Sequence, residues 1–262
     1  MNFFVPSLKN KQLPLITGCL LASVFVTQTS SALAVTLVTS RTDLGENDQL
    51  DWSSLGSVFI PPPDPSDFLA SSFSATSSGG LEVNVELPPP EVSITPPFVF
   101  QTSSGGVETN FAEGDFILFS GFNPAFFPSP GNPGPLNITF EEPVSGAGTQ
   151  LAVDDTDSFI GSISAFDSDG ALLGSFSAPG TSSLELDNSA LFLGILSDTP
   201  NIKQLVFSTS ITNRAIGINR LSIVATSVPE STSILALSLL GLGLIGSRHQ
   251  RKSFESDNLD ED

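Results

Sequence analysis

The chain has 262 residues, a formal net charge of −19, and a single cysteine and a single histidine. Such a charge repels nucleic-acid phosphates, so a nucleic-acid partner is excluded. Cys19 and His249 both lie outside residues 35–229, so we expect that segment to lack disulfides, thiolate sites, histidine zinc sites and Ser-His-Asp triads.

The first residues have the pattern of a signal peptide. Lys9 and Lys11 supply a positive region, Leu13–Val26 is largely apolar, and Ala32–Ala34 gives the small residues of a cleavage pattern. We therefore predict export, with cleavage after Ala34. The alternative is a lipobox-like string that ends at Cys19, but the apolar run before that cysteine is short and continues beyond it.

The segment from Val35 to about Asp115 mixes short strand-like runs with proline clusters. Leu81–Leu87 alternates apolar and polar residues, which predicts a half-buried strand. Phe116–Phe119 predicts a short buried strand. The run Pro61–Pro63 is incompatible with a central strand, because proline has no N–H to donate to a neighbouring strand.

From residue 136 onward, short strand signals recur about every ten residues without a persistent helical stripe. Asp169–Gly170 predicts a hairpin turn, and Asp198–Asn201 predicts a second turn in which proline presets the backbone. This regularity predicts an all-β fold, an antiparallel β-sandwich or jelly roll. The predicted strands are Leu136–Glu141, Thr149–Val153, Ser158–Asp167, Ala171–Ser177, Ser183–Asp187, Leu191–Ser197, Ile202–Ser208 and Ala215–Ala225.

Carboxylates are densest in two neighbouring parts of this region. Hard cations such as Ca²⁺ take several oxygen ligands at once, so two converging groups of aspartates predict a calcium site. The alternative is ordinary turn chemistry, in which aspartate bonds its own backbone. The candidate ligands are Asp154, Asp155, Asp157, Asp167 and Asp169.

Two other features bear on function. Glu141–Glu142 with a third carboxylate would imitate a glycosidase pair. A chain with no tyrosine and one tryptophan has few side chains that combine a flat face with a polar handle, which argues against a sugar-cleaving enzyme. Most of the phenylalanines are predicted to fill the core, but Phe122, Phe126 and Phe127 lie in a Pro/Gly-rich loop and predict an exposed hydrophobic patch.

The C-terminal residues have the layout of a membrane-sorting signal: a short polar motif, an uncharged apolar run at about 231–246, and a basic cluster. Such a helix spans about 24 Å, slightly less than the bilayer core of about 30 Å. The basic cluster should stay in the cytoplasm. The motif residues are Val228, Pro229 and Glu230, and the basic residues are Arg248, Arg251 and Lys252.

This layout resembles the PEP-CTERM signal of bacterial surface proteins, which exosortases process. The resemblance implies an anchor that is removed; a permanent single-pass anchor is the alternative. Asn47–Gly56 is similar to the opening of cyanobacterial members of that family. Four further stretches resemble the jelly-roll ectodomains common in it, which implies a fold and an envelope setting but no catalytic residue: Leu136–Phe140, Ile163–Gly174, Phe192–Ile195 and Ile218–Ile223.

The predicted organisation is a signal peptide (1–34), a secreted β-sandwich (35–227), a sorting signal (228–252) and an acidic tail (253–262). We expect a non-enzymatic protein of the cell surface or extracellular matrix, with a structural or interaction role. Its expected partners are an exosortase-type processing enzyme, the membrane and extracellular polysaccharide. The alternative is a carbohydrate-binding or, less favoured, carbohydrate-cleaving sandwich.

Overall fold

A computed structural model of the chain describes residues 35–56 and 64–226, except 92, 105, 106, 108 and 155. Over these residues the chain forms two antiparallel β-sheets that pack face to face. The predicted all-β sandwich is therefore confirmed. The predicted signal peptide, sorting motif, membrane helix, basic cluster and acidic tail lie outside the described residues.

Fourteen strands and one short helix, α1 (Arg41–Leu44), make up the described fold, together with 3₁₀ turns at Trp52–Leu55 and Pro65–Asp67. The strands are β1 (Val35–Val38), β2 (Asp48–Leu50), β3 (Ser72–Thr76), β4 (Glu82–Glu86), β5 (Phe98–Gln101), β6 (Phe116–Phe119), β7 (Leu136–Val144), β8 (Gly146–Val153), β9 (Phe159–Phe166), β10 (Leu172–Gly180), β11 (Leu191–Ser197), β12 (Ile202–Thr209), β13 (Ile216–Ile218) and β14 (Leu221–Val224).

Sheet A has the order β1-β11-β8-β13-β6-β5, with β14 paired to both β8 and β2. Sheet B has the order β10-β9-β12-β7-β4-β3. Alternate residues of sheet B turn inward, as in β4, where Val83 and Val85 are buried between exposed neighbours. The inward side chains of sheet B form the main core together with inward residues of β8 and β11, such as Leu151 and Leu193.

The outer face of sheet A is also covered, so β8 is buried along its whole length. Over one part of that face, Leu44 of α1 packs with Val38 and Phe192. Over another part, Phe111 packs with Ile117 and Ala152. A strand buried on both faces does not alternate in hydrophobicity, which explains why the sequence pattern marks only the second half of β8.

Most predicted strands are confirmed, some with the same bounds, as for Phe116–Phe119 and Leu191–Ser197. The predicted hairpin at Asp169–Gly170 joins β9 to β10, with Gly170 at φ 77°. Asp198–Asn201 joins β11 to β12.

The predicted strand Ser183–Asp187 is wrong. Asp187 makes one isolated bridge to Ala112, and no regular strand forms there. Polar side chains satisfy the backbone instead: the amide of Ser183 donates to the Asn110 side chain, and Asp187 accepts hydrogen bonds from the amide and hydroxyl of Ser189. These local bonds compete with strand pairing.

The predicted strand Ala215–Ala225 is two strands, β13 and β14. Both pair with β8, but Ile218 lies opposite Leu151 and Ser222 opposite Gly148. One extra residue is therefore accommodated in the 219–221 stretch, as in a β-bulge, and a bulge redirects a side chain. The residue redirected here is Asn219, which becomes the centre of a polar network.

We expect the isolated fragment 35–229 to fold without the chain's ends. β1 begins at Val35 and β14 ends at Val224, so the fragment contains every described strand. It holds no cysteine, so a reducing agent should not change its stability. Far-ultraviolet circular dichroism should show a β spectrum with one cooperative melt, and a spectrum dominated by helix or disorder would contradict this expectation.

Among the described residues, no helix has both the length and the apolar composition needed to cross a lipid bilayer.

Candidate functional site

The segment Asn47–Trp52 joins the start of the described chain to its end. The Asn47 side chain bonds both backbone groups of Ala225, donating to the carbonyl at 2.9 Å and accepting from the amide at 2.8 Å. Asp51 caps the following 3₁₀ turn by accepting from the Ser53 amide at 2.8 Å. Each of these residues has a role in holding the fold.

Asp48 ties sheet A to the β3–β4 turn of sheet B. Its carboxylate accepts hydrogen bonds from the hydroxyls of Ser77 and Ser78 and from the amides of Gly79 and Gln49. Burial raises the pKa of Asp48, but these donors outweigh burial and hold the pKa below its usual value. The carboxylate is therefore an anchor that requires its negative charge.

Replacing Asp48 by asparagine should lower the free energy of unfolding by about 2 kcal/mol at pH 7, because hydrogen bonds to a charged acceptor are lost. A carboxyl whose folded pKa is depressed stabilises the fold above its unfolded pKa, about 3.9, and this contribution disappears as pH falls through the folded pKa. The difference between wild type and Asp48→Asn should therefore shrink below about pH 4.

Urea unfolding at several pH values measures that difference. Asp43→Asn is the matched control, because Asp43 is an exposed carboxylate on α1. The expectation fails if Asp48→Asn costs no more than Asp43→Asn at pH 7, or if its cost grows as the pH is lowered.

Asn219 is the centre of a buried polar network between β13 and β14. Its side-chain amide donates to Gln150 Oε1 at 2.6 Å and to Asp115 Oδ2 at 3.1 Å. Its side-chain oxygen accepts from Arg41 Nη2 at 2.9 Å, and its backbone carbonyl accepts from the Trp52 indole at 2.7 Å. One residue thus links α1, β8 and the turn that contains Trp52.

Arg41 lies on the Phe192 ring, with its guanidinium carbon 5.3 Å from the ring centroid. Its Nη1 donates to the backbone carbonyl of Arg220 and to the Ser222 hydroxyl. Burial lowers the pKa of Arg41 and neighbouring Arg220 lowers it further, while Glu46 and Asp115 act in the opposite direction. An arginine still keeps its charge at neutral pH, so this is a fixed cation.

Phe192 takes this position because two glycines face each other beneath it. Gly148 of β8 pairs with Gly194 of β11. A Cβ built on Gly148 would come within 2.5 Å of the Gly194 Cα and 2.9 Å of the Phe192 ring. Only glycine leaves room for the ring to lie flat on this part of the sheet.

An open groove of about 1140 Å³ lies beside Arg41 and Phe192. Both sheets contribute to it: Gln150 and Leu191 from sheet A, and Ile160 and Pro179 from sheet B. Hydroxyl and amide side chains complete the lining, contributed by Thr39, Ser40, Thr42, Ser158, Thr181, Asn188, Ser189 and Ser210. The volume exceeds the roughly 300–1,000 Å³ of most small-molecule pockets, and an extended ligand fits such a groove.

The predicted calcium ligands are placed in different ways. Asp167 Oδ1 accepts from the amides of Asp169 and Ala171, at 2.9 and 2.8 Å, which is the turn chemistry weighed as the alternative. Asp154 is buried and Asp157 exposed, and Asp155 lies outside the described residues. Within the described part of the chain, no three His, Cys, Asp or Glu side chains are grouped to hold a metal ion, and the five-aspartate site stays a prediction.

The structure brings together some, but not all, of the residues in the predicted glutamate pair and in the predicted phenylalanine patch. Glu141 and Glu142 are exposed on β7 and line a smaller pocket of about 470 Å³ with Asp48. Phe126 and Phe127 are 62% and 85% exposed, as the predicted patch requires. Phe122 is not part of that patch, because its ring packs against Phe98 and Phe119 at centroid distances of 6.0 Å.

Sequence reasoning missed Arg41, Gln150 and Asn219. One signal was available for the first of them, because residues 35–229 contain four basic residues: Arg41, Lys203, Arg214 and Arg220. A rare cation in an acidic chain is a candidate for a specific role. Nothing marks Gln150 or Asn219, because a bulge between two strands has no local sequence pattern here.

Comparisons with known proteins give a weak structural likeness only. No family model matches the chain, and no curated protein matches it significantly. A solved DUF4465 family protein from Bacteroides caccae is similar over 68% of this chain and 100% of its own, with 12% identity and a TM-score of 0.36. A structure of accessory secretory proteins 1, 2 and 3 in Streptococcus pneumoniae covers 68% of this chain and 95% of its own, with 10% identity and a TM-score of 0.21. These values are too low to transfer a role from either protein.

Proposed function

We propose that the chain is an exported, non-enzymatic protein of the cell surface or extracellular matrix, sorted by a PEP-CTERM-like C-terminal signal. The observation that carries the proposal is how closely the sandwich fits between the two predicted signals. β1 begins at Val35, directly after the predicted cleavage point, and β14 ends at Val224, shortly before Val228. A two-sheet sandwich between two predicted export signals is the layout expected of a surface protein.

In this proposal the sandwich faces outward and the basic cluster at residues 248–252 stays in the cytoplasm, by the positive-inside rule. The membrane helix at about 231–246 holds the protein until an exosortase-type enzyme acts at Val228–Glu230. Residues 35–229 hold four basic and 22 acidic residues, and a formal charge of −18 keeps the released domain soluble and apart from other anionic proteins.

Replacing Glu230 by alanine should leave the protein in the membrane with its C-terminus intact. The change removes the charged residue of the motif that resembles the exosortase recognition sequence. A C-terminal tag, followed by immunoblotting of membrane fractions from the producing bacterium, measures the unprocessed form. We expect several-fold accumulation.

The matched control is Glu255→Ala, which neutralises a carboxylate beyond the basic cluster and should be processed normally. Processing of Glu230→Ala at the wild-type rate would refute the sorting proposal and favour a permanent anchor.

A second candidate function is carbohydrate binding, favoured by the groove beside Arg41. The groove is lined by hydroxyl and amide side chains and by one fixed cation, which α1 and the loops beside both packed sheets contribute together with Gln150 of β8. Binding of the purified full-length protein to polysaccharide from its own cells tests this function. Equal migration in gels with and without the polysaccharide would contradict it.

A further inference from the structure

The lining of the groove beside Arg41 has the opposite sign of charge to the chain as a whole. The chain has 28 acidic and nine basic residues, yet the side chains that line the groove include one cation, Arg41, and no carboxylate. Neutral rim residues and a positive centre lower the energy of an anion there relative to the acidic surface around it.

Arg41 has hydrogen-bonding capacity to spare for a ligand. A guanidinium carries five N–H donors. Three of them reach described residues, namely the Arg220 carbonyl, the Ser222 hydroxyl and the Asn219 side chain. The Nε–H and one Nη2–H make no hydrogen bond to any described residue. A carboxylate takes two such donors in a bidentate pair.

The position of Arg41 is fixed before any ligand arrives. Phe192 supports one face of the guanidinium, and the Asn219 side-chain oxygen accepts a hydrogen bond from Nη2. Glu46 Oε2 lies 3.8 Å from Arg41 Nη1, and Glu46 Oε1 accepts from Arg220 at 2.9 Å. A preorganised arginine loses less entropy when a ligand binds, which favours affinity.

The rim suits a polyhydroxylated ligand rather than a peptide. Seven residues with hydroxyl side chains line the groove: Thr39, Ser40, Thr42, Ser158, Thr181, Ser189 and Ser210. The aromatic side chains in the lining, Phe159 and Phe192, are buried at 4% and 6% exposure and offer little stacking surface. Recognition here therefore depends on hydrogen bonds and on charge.

We infer that the groove binds an acidic polysaccharide segment, with a uronic-acid carboxylate paired to Arg41 and sugar hydroxyls bonded along the rim. The inference rests on carbohydrate binding, the second candidate function, and names its substrate class and its specificity-determining residue.

Isothermal titration calorimetry of the full-length protein, purified in mild detergent, tests the inference. The probes are a hexasaccharide of galacturonic acid and a neutral hexasaccharide of glucose. Ile160→Asp places a carboxylate in the groove at a side chain that is already 44% exposed. We expect the uronate to bind wild type and to bind Ile160→Asp at least about tenfold more weakly, because like charges meet.

Leu172→Asp is the matched control, since Leu172 is an exposed strand residue, 59% exposed, that does not line the groove. It adds the same charge and should change the affinity less than about twofold. Arg41→Lys keeps the charge but loses the planar fork, and should also weaken uronate binding. If Arg41→Lys lowers the melting temperature strongly, its weaker binding could come from unfolding. The affinity of Ile160→Asp then decides whether the uronate binds in the groove.

The possible results distinguish uronate specificity from carbohydrate binding in general. Equal binding of both hexasaccharides would overturn the carboxylate specificity and leave carbohydrate binding in place. Binding of neither would overturn the inference, and the gel assay with the cells' own polysaccharide would then decide whether carbohydrate binding stands. If Ile160→Asp and Leu172→Asp lower the affinity for the uronate equally, or if neither variant lowers it, uronate binding lies outside the groove and the inference is overturned.

Discussion

Replacing Trp52 by alanine is expected to lower the free energy of unfolding by about 4 kcal/mol. The indole is 0% exposed, in a 3₁₀ turn that contacts β3 of sheet B and β5 and β6 of sheet A. Truncation therefore opens a cavity between the sheets. It also removes the donor that bonds the Asn219 carbonyl at 2.7 Å. For a domain of this size, the melting temperature should fall by about 10 °C.

Trp52→Phe separates the contribution of the buried volume from that of the indole hydrogen bond. Phenylalanine keeps much of the buried volume but has no N–H, so we expect a cost of about 1–2 kcal/mol. Both variants are measured by thermal melting and urea unfolding. A cost below about 1 kcal/mol for Trp52→Ala would contradict the buried position of the indole.

Replacing Asn219 by alanine is expected to cost about 3 kcal/mol, although it removes only a few atoms. The change leaves Gln150, Asp115 and Arg41 without their shared partner in a buried setting, and unsatisfied buried polar groups are costly. The decrease in the free energy of unfolding should be several times larger than the decrease caused by replacing an ordinary surface asparagine.

Asn213→Ala is the matched control, because the Asn213 side chain is exposed and, among the described residues, Asn213 forms its hydrogen bond through the backbone carbonyl, which accepts from the Gly131 amide. Its cost should stay within about 0.5 kcal/mol. If both asparagine variants unfold at the same urea concentration, the network does not stabilise the fold.

The sheet-B strands follow from the sequence because one face of each is solvated. In β4 the buried valines alternate with exposed polar residues, and this pattern is local. β8 is different, since α1 and Phe111 cover its outer face and remove the alternation. Its glycines at 146 and 148 look like turn residues in the sequence but serve close packing.

The site was largely unpredictable from the sequence for a related reason. Arg41 and Asn219 are 178 residues apart, and a bulge in β13–β14 brings them together. Local patterns report the geometry of neighbours in the chain, and they do not report such a contact. Acidic clusters are visible in the sequence, yet at Asp167 the structure assigns the carboxylate to its own turn.

The central place of β14 sets the order in which this protein can fold. β14 pairs with β8 and β2 inside sheet A, and Asn47 bonds Ala225 just beyond it. Sheet A therefore cannot close until almost all of the chain through residue 225 has been synthesised. Such non-local closure makes folding slow, which is compatible with the proposed export, in which the chain crosses the membrane before it folds. We expect truncation before residue 221 to give an aggregation-prone intermediate.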